Sequence, residues 1–169
     1  MFDRVVLGVD PGTASVGLAA VEAGNGRPVV RWAATLRTPS TLEPAARLRR
    51  IYGGVRDALD AHGAGVMALE RLLWGRNTKS AMEVARASGV ILLAAADAGL
   101  EVYEYAPLEV KMAVTGSGNA PKDQVRRALI QVLGTDAVPS EPDAADAVAV
   151  AVCHVQQSGL RRALEGAVR

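Results

Sequence analysis

Four carboxylates of this 169-residue sequence occupy the ends of predicted secondary-structure elements, where side chains from distant parts of a chain can meet. Asp10 and Glu70 each close a short apolar run that is typical of a buried strand. Asp143 and Asp146 lie three residues apart near a predicted helix start, so they project from roughly one helix face. Since open sheets place their sites at the carboxyl ends of strands, we expect all four to converge if this helix packs across both strands.

The chemistry of such a cluster depends on its ligand atoms, which are all carboxylate oxygens. Oxygen ligands suit a hard divalent cation, Mg²⁺ with Mn²⁺ as a substitute. The chain has one cysteine, Cys153, which excludes a zinc site with two cysteine ligands. Two such cations about 3.5–4 Å apart can hold an attacking water and stabilise the leaving oxygen of a phosphodiester. The pattern therefore indicates metal-assisted phosphodiester cleavage with two ions per site.

Each carboxylate also has a structural interpretation. An Asp before Pro-Gly commonly forms a turn, and Ser140 followed by Asp143 resembles a helix capping box. Glu70 is not a typical strand residue, but it could form a salt bridge with Arg71 or Arg76 at the loop edge. Spacing alone leaves both interpretations open.

The predicted elements alternate in a way that defines a fold class. Apolar periodicity and turn residues, including an Asn25-Gly26 turn, predict strands over 5–9, 16–21, 28–37, 66–69 and 100–105. Helices are predicted over 43–62, 78–98, 122–133 and 142–157, with a short helix after Pro107. We expect an α/β fold with a mixed five-stranded sheet, an antiparallel three-strand meander plus two parallel strands, flanked by helices.

Composition limits the classes of protein further. Half of the residues are hydrophobic and the formal net charge is +1, so the chain can form one core and has no global attraction to nucleic acid. We expect one domain over 1–157 and a tail over 158–169 that frays. The apolar run before Asp10 is too short for a signal segment or a membrane span. We therefore expect a cytoplasmic protein with no membrane partner.

In order and spacing, several motifs resemble the RuvC-type crossover junction endodeoxyribonucleases, which resolve Holliday junctions on an RNase H-like fold. The segments that carry the resemblance are Gly8 to Thr13 with Gly17, Glu70 with Asn77, Tyr105 with Lys111, Lys122 with Val125, and Asp143 to His154. The resemblance implies that Asp10, Glu70, Asp143 and Asp146 are the catalytic metal ligands. It also places Lys111 and Lys122 near the scissile phosphate, with products that carry a 5′-phosphate and a 3′-hydroxyl.

The resemblance implies further partners. A homodimer would make paired symmetric nicks in a four-way DNA junction, and the branch-migration proteins RuvA and RuvB would deliver that junction. Segments 71–86 and 111–127 each carry four basic residues against one acidic residue, which favours phosphate contacts. We expect DNA contacts from the two active-site lysines and from the loop and helix start after Glu70, namely Arg71, Leu73, Trp74, Arg76, Asn77 and Lys79. Small residues make the 78–98 helix the candidate dimer surface, although they could instead pack on the sheet.

One position departs from the family pattern. Some relatives carry an aromatic side chain three residues after the glutamate, where it stacks on a base, whereas this chain has Leu73 followed by Trp74. The preference for a cleavage sequence is therefore open. Three other interpretations compete: a YqgF-type RNase H-like nuclease acting in RNA processing, a junction-binding protein that does not cut, and an actin-like ATPase. The last needs a second lobe, for which this chain has no room.

Overall fold

The computed structural model describes residues 5–24, 27–72 and 78–167 and contains a mixed five-stranded sheet. The strands are β1 (Val5–Asp10), β2 (Ser15–Ala23), β3 (Pro28–Arg37), β4 (Val66–Glu70) and β5 (Glu101–Tyr105). They lie in the order β3-β2-β1-β4-β5. β1, β2 and β3 pair antiparallel, while β4 runs parallel to both β1 and β5. The predicted meander with two parallel strands is therefore confirmed.

Helices cover both faces of this sheet. They are α1 (Pro44–His62), α2 (Thr78–Asp97), α3 (Pro107–Thr115), α4 (Lys122–Leu133) and α5 (Pro142–Ala167), with a 3₁₀ turn over Thr135–Ala137. α1 and α2 pack on one face, and α5 packs across β1 and β2 on the other. Strand residues alternate between the faces, so Leu7 and Val9 meet α1 and α2, whereas Val6 meets α5.

The structure corrects several predicted boundaries. β1 and β4 each extend by one residue, so Asp10 and Glu70 are the last residues of their strands, at the carboxyl ends where they were expected. α5 continues to Ala167 instead of ending at Gln157, so most of the predicted tail is helical. The physical reason is composition: residues 160–165 are mostly strong helix formers, and the single Gly159 costs too little to end a helix supported by packing.

The buried residues of α5 form much of the core on its side of the sheet. Every residue from Ala147 to Cys153 is at most 2% exposed. The helix that carries two of the four carboxylates is therefore also a central element of the core, which fixes its position on the sheet. Within the part of the chain that the structure describes, we find no helix with the length and hydropathy that a membrane span requires.

Candidate active site

Asp10 and Glu70 end neighbouring strands and project from the same face of the sheet. β1 and β4 pair in parallel register with Val9 opposite Leu69, so the next residue of each strand is a carboxylate. Asp10 follows Val6 by four positions and Glu70 follows Val66 by four, and both valines lie in the core beneath α5. Side chains four apart on a strand share a face, so both carboxylates lie on the α5 side.

Two glycines bring the start of α5 close to these strand ends. Gly17 of β2 pairs with Asp10, and a Cβ atom at position 17 would collide with the main-chain carbonyl oxygen of Asp143. Gly8 lies two residues before Asp10, and a Cβ there would collide with the carbonyl oxygen of Ala147. The backbone of α5 therefore packs directly against the strand backbone at these two glycines. This contact places the first two turns of α5, with Asp143 and Asp146, beside Asp10.

The electrostatics of Asp10 show that the four carboxylates interact. Burial of its carboxyl group and the negative charges of Glu70, Asp146 and Asp143, in that order, raise the pKa of Asp10 from 3.8 to about 7. The positive charge of Lys122 opposes this rise. A carboxyl group whose pKa is raised by three other carboxylates lies in a strongly negative pocket. Such a pocket favours binding of a cation.

Glu70 has the same environment. Its pKa is raised by burial and then by the charge of Asp146, while Lys122 and Lys111 lower it. Both lysines that were predicted to lie near the scissile phosphate are thus close enough to Glu70 to affect its ionisation. Lys111 comes from α3 and Lys122 is the first residue of α4. Each of these helices brings one positive charge to the edge of the acidic pocket.

Lys122 makes a direct ion pair within the site. Its Nζ donates to Oδ2 of Asp146 at 2.7 Å. The hydrogen bond to Asp146 is the main cause of a raised Lys122 pKa, with the charges of Asp10 and Asp143 also contributing. The lysine side chain is 78% exposed, so its ammonium group also faces solvent. It can therefore contact a phosphate that approaches the carboxylates.

The described contacts bear on the structural interpretations of the carboxylates. Arg71 pairs with Glu109 at 3.8 Å rather than with Glu70, while Arg76, the other predicted partner of Glu70, lies outside the described residues. α5 begins at Pro142, so Glu141 rather than Ser140 immediately precedes the helix. Arg37 of β3 pairs with Glu141 at 3.6 Å, which ties the start of α5 to the edge strand.

The donor set fits a hard divalent cation. All four candidate ligands are carboxylates, and hard cations prefer oxygen ligands. Among the residues that the structure describes, no three carboxylate, imidazole or thiol side chains are already gathered around a common metal position. Mutual repulsion of the carboxylates and the ion pair between Lys122 and Asp146 favour this spread arrangement. To bind one cation together, the carboxylate side chains must rotate toward a common point. The strand ends and the helix that carry them are already in place.

The predicted DNA-contact loop lies only partly within the described residues. Arg71 is exposed at the end of β4 and lies beside the site. Leu73, Trp74, Arg76 and Asn77 lie outside the described residues. Lys79 belongs to the first turn of α2, and nothing is described of its side chain. The roles of these residues stay predictions.

Sequence reasoning missed a buried polar contact near the site. The Tyr105 hydroxyl and Nδ1 of His154 lie 2.8 Å apart, and both residues are at most 6% exposed. Tyr105 is paired with Glu70 in the β4–β5 ladder, so this contact joins α5 to the strand beside Glu70. This position gives His154 a structural role in joining α5 to the sheet. No local signal in the sequence connects two residues from such distant elements.

Carboxylates at the ends of the two central parallel strands, on a mixed sheet covered by helices, are the arrangement of a nuclease with the RNase H-like fold. A family model for the crossover junction endodeoxyribonuclease RuvC matches residues 6–154. This chain belongs to the RuvC family. It is 49% identical over 150 residues to the Moorella thermoacetica RuvC, covering 89% of this chain and 90% of that protein.

Other relatives support the same assignment. The Corynebacterium jeikeium RuvC is 41% identical and covers 95% of this chain and 99% of its own length. Among solved structures, the fold is similar to Thermus thermophilus RuvC in complex with a Holliday junction substrate, with a TM-score of 0.85 and 31% identity over 92% of this chain and 94% of that chain. The yeast mitochondrial Holliday junction resolvase Ydc2 shares the fold, with a TM-score of 0.71 and 13% identity over 95% of this chain and 81% of that one.

Proposed function

We propose that this protein is a metal-dependent endonuclease that resolves four-way DNA junctions by paired nicks, in homologous recombination and DNA repair. The observation that carries the proposal is the position of Asp10 and Glu70 at the ends of adjacent parallel strands, beside the start of α5 with Asp143 and Asp146. Family membership supplies the substrate class, and the carboxylates supply the chemistry. The Thermus thermophilus RuvC was solved with a Holliday junction substrate, which supports the same substrate here.

Asp10, Glu70, Asp143 and Asp146 would hold two Mg²⁺ ions, with Mn²⁺ as a substitute. Bound divalent cations supply an activated water and neutralise charge on the leaving oxygen. The products then carry a 5′-phosphate and a 3′-hydroxyl. Burial of Asp10 excludes bulk water from one side of the site, which strengthens every electrostatic interaction within it.

Lys122 and Lys111 would bind the scissile phosphate from two helices. The Lys122 ammonium group is held by Asp146 and is mostly exposed, so it is already oriented when DNA arrives. Lys111 acts on Glu70 from the edge of the pocket. Two cations at the mouth of an acidic site reduce the repulsion between the carboxylates and the DNA backbone. Further proposed DNA contacts are Arg71 and the residues that follow it, Leu73, Trp74, Arg76, Asn77 and Lys79.

We infer that the protein acts as a homodimer, because two equal sites related by a two-fold axis match the near two-fold symmetry of a four-way junction. α2 offers a surface for a second copy. Ala87, Ile91, Ala94 and Ala95 face the sheet, while Met82 and Leu93 are each 53% exposed on the opposite side. We call this exposed side the α2 apolar face; it comprises Met82, Gly89, Leu92, Leu93 and Ala96.

The α2 apolar face can be tested by the oligomeric state. Leu93→Glu should shift the protein to monomers in sedimentation velocity, since a buried unpaired carboxylate destabilises an interface. Val29→Glu is the matched control, because Val29 is also exposed, at 44%, but lies on the edge strand β3. Monomers from the control alone, or dimers from both, would contradict this assignment of the interface.

The cellular setting follows from the proposed substrate. We infer that the protein acts on chromosomal DNA junctions in the cytoplasm, where branch migration by RuvA and RuvB would move junctions to the sites of cutting. Purified RuvA and RuvB together with a synthetic junction provide the test. Addition of both proteins should increase the rate of resolution, whereas an unchanged rate would argue against a functional connection.

The primary experiment compares a synthetic four-way junction with a linear duplex of the same sequence, in Mg²⁺, Mn²⁺ and chelator. We expect paired symmetric nicks in the junction only, with ends that DNA ligase can seal. Glu70→Gln keeps the shape of the side chain and removes its charge, so it should abolish cutting and retain binding. Tight binding without cutting by the native protein would favour the non-cleaving alternative, and absence of both would favour RNA as the substrate.

A further inference from the structure

A small pocket lies between α1 and α2, close to the loop that follows Asp10. It is lined by Thr13 of that loop, by Arg47, Leu48 and Ile51 of α1, and by Glu83 and Arg86 of α2. Ile51 is fully buried and forms an apolar floor. Two arginines and one glutamate from two helices therefore line the same space, with an excess of one positive charge.

Arg47 connects this pocket to the active-site loop. Its Nη2 donates to the carbonyl oxygen of Thr13 at 2.8 Å, and its Nε donates to Oγ1 of Thr38 at 3.2 Å. The buried Thr38 hydroxyl also donates to the Thr13 carbonyl oxygen. These bonds fix the loop three residues after Asp10. They use two of the five N–H donors of the guanidinium group, and the others can bind a ligand.

Within the described residues, neither arginine of the pocket has an ionic partner. The ion pairs there involve other cations, and Arg86 contacts only the weak acceptor Sδ of Met82, at 3.7 Å. Two like charges that face one pocket repel each other, and Glu83 offsets only one of them. An anion bound between them would remove the repulsion, and arginine favours phosphate because its planar fork binds two oxygens.

The size of the pocket limits the ligand. Its volume is about 60 Å³, more than the roughly 10–15 Å³ that a single water needs. The space therefore admits a small anion. Sites for nucleotides and other drug-sized ligands are several times larger, roughly 300–1,000 Å³. The pocket is therefore sized for a small group such as one phosphate rather than for a whole nucleotide.

The position of the pocket relates it to DNA. Thr13 follows Asp10 by three residues, so their Cα atoms are at most about 11 Å apart. Successive phosphates on one strand of a duplex advance about 3.4 Å along its axis. We propose that the pocket between α1 and α2, which opens beside the loop after Asp10 on the face of the sheet opposite α5, binds one backbone phosphate of the strand that is cut, a few nucleotides from the scissile bond. This proposal rests on the proposed junction nuclease function.

Arg86→Ala tests the pocket directly, with Arg49→Ala as the matched control. Arg49 is an exposed arginine of α1 that does not line the pocket. Loss of one charge-assisted phosphate contact should weaken junction binding about tenfold and reduce the slope of log affinity against log salt by about 0.9. The control should change the slope less. Glu83→Gln should strengthen binding, because it removes the negative charge from the pocket.

A junction with one uncharged methylphosphonate linkage locates the phosphate. Moved stepwise along the cut strand, this linkage should weaken binding by native protein at one position and leave binding by Arg86→Ala unchanged there. Equal losses for both proteins at every position would overturn the proposal. Because Arg86 borders the α2 apolar face, sedimentation velocity must show that Arg86→Ala keeps the native oligomeric state. A changed oligomeric state together with a native salt slope would also overturn the proposal.

Free inorganic phosphate is the alternative ligand of the pocket, because it carries the same charged oxygens as a DNA phosphate. If the pocket serves DNA, inorganic phosphate, compared with chloride at equal ionic strength, should protect native protein and Arg86→Ala equally against thermal unfolding. Selective protection of native protein, with identical salt slopes for Arg86→Ala and Arg49→Ala on the junction, would assign the pocket to free phosphate and overturn the proposal. If native protein fails to cut junctions, the proposed function fails instead.

Discussion

Lys122 and Asp146 form an ion pair of 2.7 Å inside the acidic site, between the first residue of α4 and the first turns of α5. The Lys122 ammonium group binds a carboxylate oxygen of Asp146 that a divalent cation would also use. Lysine and metal therefore compete for this oxygen. Asp146 also acts on Asp10 and Glu70, so the lysine charge reduces the repulsion among all of them. The site is therefore partly neutralised before metal or DNA binds.

Replacing Lys122 should separate metal binding from phosphate binding. In Lys122→Ala, the released Asp146 carboxylate should lower the Mg²⁺ concentration for half-maximal cutting by about twofold to fivefold, a modest change because the lysine is well exposed. The maximal rate should fall because a phosphate contact is lost. Titrating Mg²⁺ in a junction-cutting assay measures both. Lys122→Arg retains the charge as a control, and an increased Mg²⁺ requirement in Lys122→Ala would contradict this role.

Replacing Asp10 should stabilise the metal-free protein while abolishing cutting. The pKa of Asp10 is raised to about 7, so the folded state favours the protonated form and loses stability as pH rises from about 4 to 7. Asp10→Asn is neutral throughout and avoids that loss. Thermal unfolding in chelator should show a higher Tm for the variant at about pH 8 and little difference at about pH 4. A Tm difference that does not depend on pH would refute the raised pKa.

The same ionisation should make metal binding depend on pH. A ligand must lose its proton before it binds a cation, so protons compete with Mg²⁺ at Asp10 below about pH 7. If one proton must leave Asp10 for each Mg²⁺ bound, the Mg²⁺ concentration for half-maximal cutting should rise up to about tenfold for each pH unit below about 7. Activity measured over Mg²⁺ at about pH 6, 7 and 8 tests this. Equal half-saturating concentrations at all three would exclude Asp10 as a titrating ligand.

Adding one methyl group at Gly17 should damage the site without touching a carboxylate. The new Cβ would collide with the carbonyl oxygen of Asp143, so α5 must shift, at a cost of about 1–3 kcal/mol in unfolding free energy. We expect Gly17→Ala to lose most junction cutting. Gly53→Ala is the control, since nothing lies within 4 Å of a Cβ there and alanine favours the interior of α1. Native activity in Gly17→Ala would show that α5 tolerates displacement.

The parts of the site that sequence could predict are those with local signals. Asp10 and Glu70 follow apolar runs, and runs of this kind identify strand ends and therefore one edge of a sheet. Gly8 and Gly17 carry no such signal for helix contact, because the contact depends on the distance between α5 and the sheet. The bond between Arg47 and Thr13 likewise joins residues 34 positions apart. Tertiary packing determines these features, and periodicity does not report it.

Three of the four carboxylates come from the two ends of the described chain, since Asp10 closes the first strand and Asp143 and Asp146 lie at the start of the last helix. That helix is buried along most of its length, so it takes its place only when the core on its side of the sheet forms. A chain that stops before α5 lacks two of its four candidate metal ligands. Under the proposed function, only copies whose last helix has packed on the sheet would nick DNA.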